Sequence, residues 1–230
     1  MYKYDPHVHT SETSGCGKLT AVEMLNLYNE AGYNGIVITD HYHERFFSNF
    51  SHLPWSEQID TYLQGYYSAL EHSGKLGITV LLGLELRLTC SPNDFLLYGV
   101  DIDFLIKFPH LYNFTYEQLR DVTKAHGILI FQAHPFRPGM AVLEPQFIDG
   151  IEVFNGNPRH EANNDMALKY AKTHGLLEIS GSDSHQITDI GLGGLALDKP
   201  ISSLHELIHV ISAGKARLIK NKLRGDPNVY

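Results

Sequence analysis

In the opening stretch DPHVHT, His7 and His9 are separated by a single residue. If Val8 is extended, both imidazoles project to one side, because strand side chains repeat every two residues. Two imidazoles on one face are either half of a metal site or a feature of the surface, and an isolated pair is more often the latter. Residues of the same chemical kind recur along the chain. Asp40, His41 and His43 stand in TDHYH, Glu85 in GLELRL, His134 in FQAHPFRPG, and Asp183 and His185 in SGSDSH. Each has a bland reading by itself: His-Pro is a common loop opening, Asp40 a helix cap, Glu85 a partner for Arg87. Taken jointly, they are nitrogen and oxygen donors without thiolates, a set that suits Zn, Mn, Fe or Co. A carboxylate such as Glu85 can bridge two cations, whereas a neutral imidazole takes one. The donors outnumber what one ion needs, so they predict a centre of two or three divalent ions.

Donors so far apart in the chain meet only if the fold brings them together. Besides the opening stretch, continuous apolar and β-branched runs predict strands at 35–40, 77–85, 95–100, 127–133, 150–154 and 177–181. Helical spacing fills the intervals. Thr20 and Glu23 form a capping box, as do Thr115 and Gln118. Further helices are predicted from Ser56 toward Gly74, from about Arg159 to His174, and from Ser203 to near Gly214. Strands alternating with helices predict an α/β architecture with a parallel sheet. No linker or repeat divides residues 1–230, so a single domain is expected. About seven βα units predict a distorted (β/α)7 TIM-like barrel more than an open sheet. The donors follow strands, and in a βα barrel the strand ends at one face carry the active site.

Composition narrows the function. Hydrophobic residues make up 43 % of the 230 and charged residues 19 %, enough apolar material for a full core. The formal net charge of -8 makes nucleic acid an improbable partner, since phosphate-backbone binding rests on basic surface. Bound cations would add local positive charge that this sum does not count. Cys16 and Cys90 give no disulfide framework and no paired-cysteine metal knuckle. No leader sequence and no membrane span is evident, which predicts a soluble cytoplasmic protein. Oligomeric state is not written in the sequence.

The motifs DPHVHT, TDHYH, GLEL, AHP and GSDSH, in this order from Asp5 to His185, resemble those of the PHP family, the polymerase and histidinol phosphatase domains. The resemblance implies a distorted (β/α)7 barrel, up to three metal ions at its mouth, and phosphoester hydrolysis. It implies that His7, His9, Glu85 and Asp183 hold one ion, that Glu85 bridges to a second bound by His134, and that His41 and His185 belong to a third. Two departures stand out. Ser14 and Gly15 occupy the place where the family often has Asp or His, and Glu12 is the nearest candidate substitute. The usual extra histidine is missing around NDFLLYGV, where Asp94 offers an oxygen. The implied reaction is attack of a metal-activated hydroxide on a small phosphomonoester, histidinol phosphate-like or nucleotide-like. Asp183, His185 and His41 are the candidates for handling its protons. Arg137, Asn155 and Arg159 are candidates for contacting substrate, and Glu152 for orienting a ligand histidine. The alternatives are a nuclease acting on nucleic-acid ends, a metal-dependent amidohydrolase, and a degenerate domain that binds metal without turnover. The absence of a basic stripe and of a second domain argues against the first. The His-Pro and terminal DxH motifs argue against the second.

Overall fold

The chain builds β1 (Tyr2–Val8), β2 (Gly35–Ile38), the two-residue β3 (His41–Tyr42), β4 (Thr79–Arg87), β5 (Asp94–Tyr98), β6 (Leu129–Gln132), β7 (Gly150–Asn155), β8 (Leu177–Gly181), β9 (Gly193–Leu197) and β10 (Arg217–Lys220). The structure is a computed structural model, and it describes residues 1–221. The strands hydrogen-bond in the order β10-β9-β1-β2-β4-β5-β6-β7-β8, with β3 alongside β4. A parallel bridge from Val8 to Ser184 then joins the ends of β1 and β8. Strands β1, β2, β4, β5, β6, β7 and β8 thereby curl into a nearly closed barrel, as the sequence predicts, with β9 and β10 flanking β1.

The expectation of a parallel sheet needs correction. β5 runs antiparallel to both β4 and β6, and β9 antiparallel to β1. A fully buried apolar strand reads the same in either direction, so the sequence does not encode its polarity. The reversal has a consequence for the site: β5 delivers its first residue, Asp94, to the face where its neighbours deliver their last.

Side chains alternate across the sheet. Val37, Leu96, Tyr98, Phe131 and Ile179 pack inside the barrel with Tyr4 and Leu81. Their neighbours Ile36, Ile38, Phe95 and Leu97 face outward onto helices. Each fully buried large side chain contributes about 1.5–3 kcal/mol. The helices are α1 (Ala21–Glu30), α2 (Glu44–Ser48), α3 (Trp55–Tyr62), α4 (Gln64–Leu76), α5 (Ile102–Lys107), α6 (Tyr116–Ala125), α7 (Asn164–His174) and α8 (Leu204–Ser212). Both predicted capping boxes are present, at Thr20–Glu23 and Thr115–Gln118. Leu207 and Ile211 of α8 plug the end of the barrel opposite the site. The helix predicted from Ser56 is two helices, α3 and α4, meeting at Leu63. The helix predicted from Arg159 starts only at Asn164. The Asn157 side chain accepts from the Arg159 N–H and holds that segment in a turn instead (3.1 Å). Among the described residues, no helix is long and apolar enough to cross a membrane.

Candidate metal centre

The end of β1 is bent by a buried acid. Asp5 Oδ1 accepts from the N–H groups of His7 and Ser182 (both 3.1 Å), and its Oδ2 accepts from the Tyr28 hydroxyl (2.7 Å). The register with β2 slips between Asp5 and Val8. His7 and His9 emerge on one side, with ring centroids 5.1 Å apart. Each ring is fixed from behind. His7 Nδ1 lies 2.8 Å from Glu152 Oε1, and His9 Nδ1 lies 3.2 Å from Ser14 Oγ. Ser14 spends its own hydrogen on Asp40 (2.6 Å), so it accepts from His9. In both rings the proton therefore sits on Nδ1 and the lone pair on Nε2, the arrangement of a metal-ligating histidine.

Those two Nε2 atoms are buried and have no hydrogen-bond partner. They face carboxylates instead. His7 Nε2 is 3.4 Å from Glu85 Oε1 and 3.5 Å from Asp183 Oδ1. His9 Nε2 is 3.4 Å from Glu85 Oε2 and from Asp183 Oδ1. Lone pairs pointing at carboxylates repel unless a cation stands between them. Ligands about 2.0–2.1 Å from a tetrahedral ion are separated by about 3.3–3.4 Å. The spacing of His7, His9, Glu85 and Asp183 is that of such a cage, and the donor set fits a divalent ion.

Two further groups adjoin the first. His134 Nε2 lies 3.0 Å from Glu85 Oε1 and 3.9 Å from Asp94 Oδ2. Asp94 is also gripped by Arg87, at 2.6 and 2.5 Å. On the other side, His9, His41 and His185 offer ligand atoms within 4.8 Å of one another. His134 and Asp183 have left-handed backbones, φ 31° and 52°. Such conformations are unfavourable for non-glycine residues and persist where the surroundings impose them. Here they turn the two side chains into the mouth. Gly181 permits a close approach behind the cage: a Cβ there would lie 2.5 Å from His7 Cβ and 2.7 Å from Glu152 Oε1.

Charge follows the same pattern. Burial alone would raise Glu85 and Asp183, but the positive charge of neighbouring imidazoles holds both well below the usual carboxylate range. Burial lowers His7 and His41, yet the carboxylates facing them outweigh it and hold both well above the ordinary histidine range. Burial and the charges of His185 and His41 push His9 well below it. These buried carboxylates demand cations, whether protonated imidazoles or metal ions.

Of the other sequence candidates, Glu12 is corrected. Both its oxygens accept from the Ala21 N–H (3.0 Å) at the start of α1, which takes it away from the cluster. Cys16 lines a cavity with His41 and His185. Burial raises its thiol, but hydrogen bonds with His185 and His41 outweigh that and bring it down to about 6. Asn155 is buried and directed inward, donating to Glu152 (2.8 Å) and Asp183 (3.2 Å), so it positions acids instead of reaching solvent. Arg137 pairs with Asp183 (2.7 Å) and Arg159 with Asp189 (2.5 Å), both at the rim. They line a cavity of about 330 Å³ together with Lys18, Arg87, His134 and His185. His43 caps α2 through Nδ1, which accepts from the Phe46 N–H (3.1 Å). The sequence assigns no site role to Asp5 or Cys16, and it offers Asp40 only as one of the donors after the second strand. Their only advance sign was adjacency to the histidine motifs.

No curated protein matches the chain. The family model described as PHP-associated, PHP_C, matches residues 161–216. Solved structures share the fold. A two-domain protein from Bacteroides vulgatus containing a predicted PHP-like metal-dependent phosphoesterase is 21 % identical with a TM-score of 0.69, over 96 % of this chain and 65 % of its own. PsfC from Pseudomonas syringae is 20 % identical with a TM-score of 0.63, over 90 % and 87 %. The lesion-specific endonuclease PfuEndoQ from Pyrococcus furiosus is 17 % identical with a TM-score of 0.63, over 94 % and 57 %. The chain thus spans under two thirds of the length of the first and last of these. By its motif order, its barrel and this carboxy-terminal match, the chain is similar to the PHP domain family.

Proposed function

We propose that the chain is a metal-dependent phosphoesterase acting on a small phosphomonoester. The observation that carries this reading is the cage of buried, unpartnered donors opening into a cavity rimmed by cations. His7, His9, Glu85 and Asp183 would hold one ion, Glu85 with His134 and Asp94 a second, and His41 with His185 a third. Divalent ions of the Zn, Mn or Fe type, when bound, polarise phosphoryl oxygens and lower the pKa of a coordinated water to about 7.

The chain's own residues do the rest. Lys18 is held at the rim because its N–H donates to the His185 carbonyl (2.7 Å). With Arg137 and Arg159 it presents positive charge to a phosphate dianion. Asp183 is steadied by Arg137 and Asn155 and would orient the attacking water. Where the third ion is not bound, His41 and His185, beside the opening, would exchange a proton with the leaving oxygen. At about 330 Å³ the cavity is at the small end for ligand sites, which favours a compact monoester over an oligonucleotide. A second cavity of about 630 Å³ meets it at Cys16 and His41 and is lined by Phe46, Phe50, Asn49 and Arg45. A planar leaving group, imidazole-like or nucleoside-like, fits that lining.

The test is phosphate release from a panel of phosphomonoesters and oligonucleotides, using protein of measured metal content. Release from small esters, abolished by chelator and by Asp183→Ala, is expected. Cleavage confined to oligonucleotides, or no turnover by folded and metal-loaded protein, overturns the reading.

A further inference from the structure

We infer that Asp40 is a positioning residue of the metal centre, acting through the Ser14 hydroxyl to fix the tautomer of His9 and the place of His41. The inference rests on reading the barrel mouth as a metal centre, and it gives a role there to an acid that holds no ion itself.

Asp40 follows β2 and precedes His41 of β3, and both Asp40 and Ser14 are buried. Ser14 Oγ donates to Asp40 Oδ1 (2.6 Å). The same oxygen lies 3.2 Å from His9 Nδ1 and accepts from the His41 N–H (3.0 Å). A hydroxyl has one hydrogen and two lone pairs, so these three contacts exhaust it. Ser14 then has no lone pair left for a cation, and its hydrogen cannot turn toward His9 while Asp40 holds it. His9, just past β1, and His41, in β3, share that single acceptor.

Asp40 is itself tightly placed. Its Oδ1 also accepts from the Thr10 N–H (2.7 Å), and its Oδ2 accepts from the Thr10 hydroxyl (2.6 Å). Its backbone carbonyl accepts from the Tyr62 hydroxyl (2.6 Å) and from the Glu85 N–H (3.2 Å). Directly or through Ser14, residue 40 therefore contacts three residues of the donor set, His9, His41 and Glu85. Among the described residues, Asp40 is in none of the groups able to hold an ion.

The two oxygens of Asp40 predict which changes matter. Without the carboxylate, the Ser14 hydrogen is free to turn to His9 Nδ1. The ring proton would then move to Nε2, the atom facing Glu85 and Asp183, and the ligand lone pair is lost. Without the hydroxyl, His9 Nδ1–H and the His41 N–H both lose their acceptor. One path carries both effects, so they should not add. An asparagine, by contrast, can keep its oxygen in the Oδ1 place for the Thr10 N–H and Ser14, with its NH₂ in the Oδ2 place donating to Thr10 Oγ1. A metal ligand or a general base at this position would need the negative charge; a positioning acceptor does not.

The experiment is a double-mutant cycle in the full-length protein: Ser14→Ala, Asp40→Ala and the two together, with Asp40→Asn alongside. Competition with a chromophoric chelator reads Zn(II) affinity, and circular dichroism checks that each variant is folded. Each single alanine variant is expected to bind Zn(II) about 10–100-fold more weakly, the usual worth of a partner behind a ligand. The double variant should match Ser14→Ala, and Asp40→Asn should stay near the unaltered protein. In metal-free protein carrying isotope-labelled histidine, NMR should find the His9 proton on Nδ1 in the unaltered protein and in Asp40→Asn, and that preference lost in Ser14→Ala. If Asp40→Ala does not fold, Ser14→Ala and Asp40→Asn still decide the matter. Losses that add, an Asp40→Asn protein as weakened as Asp40→Ala or Ser14→Ala, unchanged affinity in folded Ser14→Ala, or an unchanged His9 tautomer there overturns the role of Asp40 and leaves the metal centre standing. No Zn(II) bound by the unaltered protein overturns both.

Discussion

Glu152→Gln tests whether the protein sets the protonation of its ligands from behind. The side chain is completely buried, and its two oxygens have different work. Oε2 accepts from the His134 N–H (3.0 Å) and from Asn155 Nδ2 (2.8 Å), whereas Oε1 accepts from His7 Nδ1 alone (2.8 Å). A glutamine of the same shape has one acceptor oxygen. Two donors outvote one, so its oxygen should take the Oε2 place and its NH₂ should face His7. His7 Nδ1 must then accept, which drives the ring proton onto Nε2, the atom aimed into the cage. The ligand lone pair is lost although no residue of the cage has changed. A hydrogen bond to a charged group contributes about 1.5–3 kcal/mol, and partners behind ligands are typically worth about 10–100-fold in metal affinity. The expected loss is therefore roughly 10–100-fold, or about 1.4–2.7 kcal/mol. Competition for Zn(II) against a chromophoric chelator at fixed pH measures it, with circular dichroism confirming the fold. Wild-type affinity in folded Glu152→Gln would refute the claim that Glu152 fixes the His7 tautomer.

Three other perturbations separate packing from charge. Gly181→Ala places a Cβ 2.5 Å from His7 Cβ inside a buried cluster; overpacking of this kind costs about 1–3 kcal/mol. Thermal unfolding should show that loss together with reduced metal content, and unchanged content would contradict the close-approach argument. Gly65→Ala in α4 gains about 0.5–1 kcal/mol of helix propensity, but its Cβ would sit 2.0 Å from Thr10 Oγ1 and 2.9 Å from Asp40 Oδ2. A fall in Tm is expected, and a rise would show that the Thr10–Asp40 contact yields easily. Chelation should make stability pH-dependent. His7 and His41 are raised above the unfolded value of 6.5, so their contribution is complete below that pH and is lost as pH climbs through the folded values. The Cys16 thiol, drawn down to about 6, acts in the opposite sense, so Cys16→Ser is the background to use. In that background the metal-free protein should unfold more readily at pH 9 than at pH 7; equal melting at both would exclude the protonated-imidazole account.

The sequence shows what is local in this site and hides what is reciprocal. The HxH pair, the acids after the strands and both capping boxes depend on neighbours a few residues away, and all stand where spacing put them. Strand direction is not local. The run at 95–100 is equally apolar read either way, so nothing announced that β5 is antiparallel or that Asp94 enters from its start. β9 begins with two glycines, which weakens its strand signal. The course of the loop after His9 turns on partners outside it: Ala21 draws Glu12 away, while Asp40 and His185 hold the backbone on either side of Cys16. Asn155 had the composition of a substrate contact, and only the positions of Glu152 and Asp183 show that it turns inward.

The seam of the barrel and the cage coincide, and that joins folding to metal binding. Among the described residues, β1 and β8 are held by one bridge, Val8 to Ser184, with His9 N–H to Ser184 O (3.0 Å) and Ser184 N–H to His7 O (3.3 Å). By contrast, β2 and β4 pair in continuous register from Gly35–Thr79 to Ile38–Leu82. The weak joint is flanked by His7 and His9 on one side and Asp183 on the other, three of the four cage residues. An ion among them would cross-link the two edges where the backbone ladder does least. Binding to the closed state alone stabilises that state by mass action, and local opening draws on the least-bonded segments first. Chelation should therefore speed amide hydrogen exchange at His9 and Ser184 selectively, while the amides of β2 and β4 hold their protection. Uniform acceleration across the sheet would mean that the metal acts on global stability, and no change at His9 or Ser184 would mean that the seam closes without it.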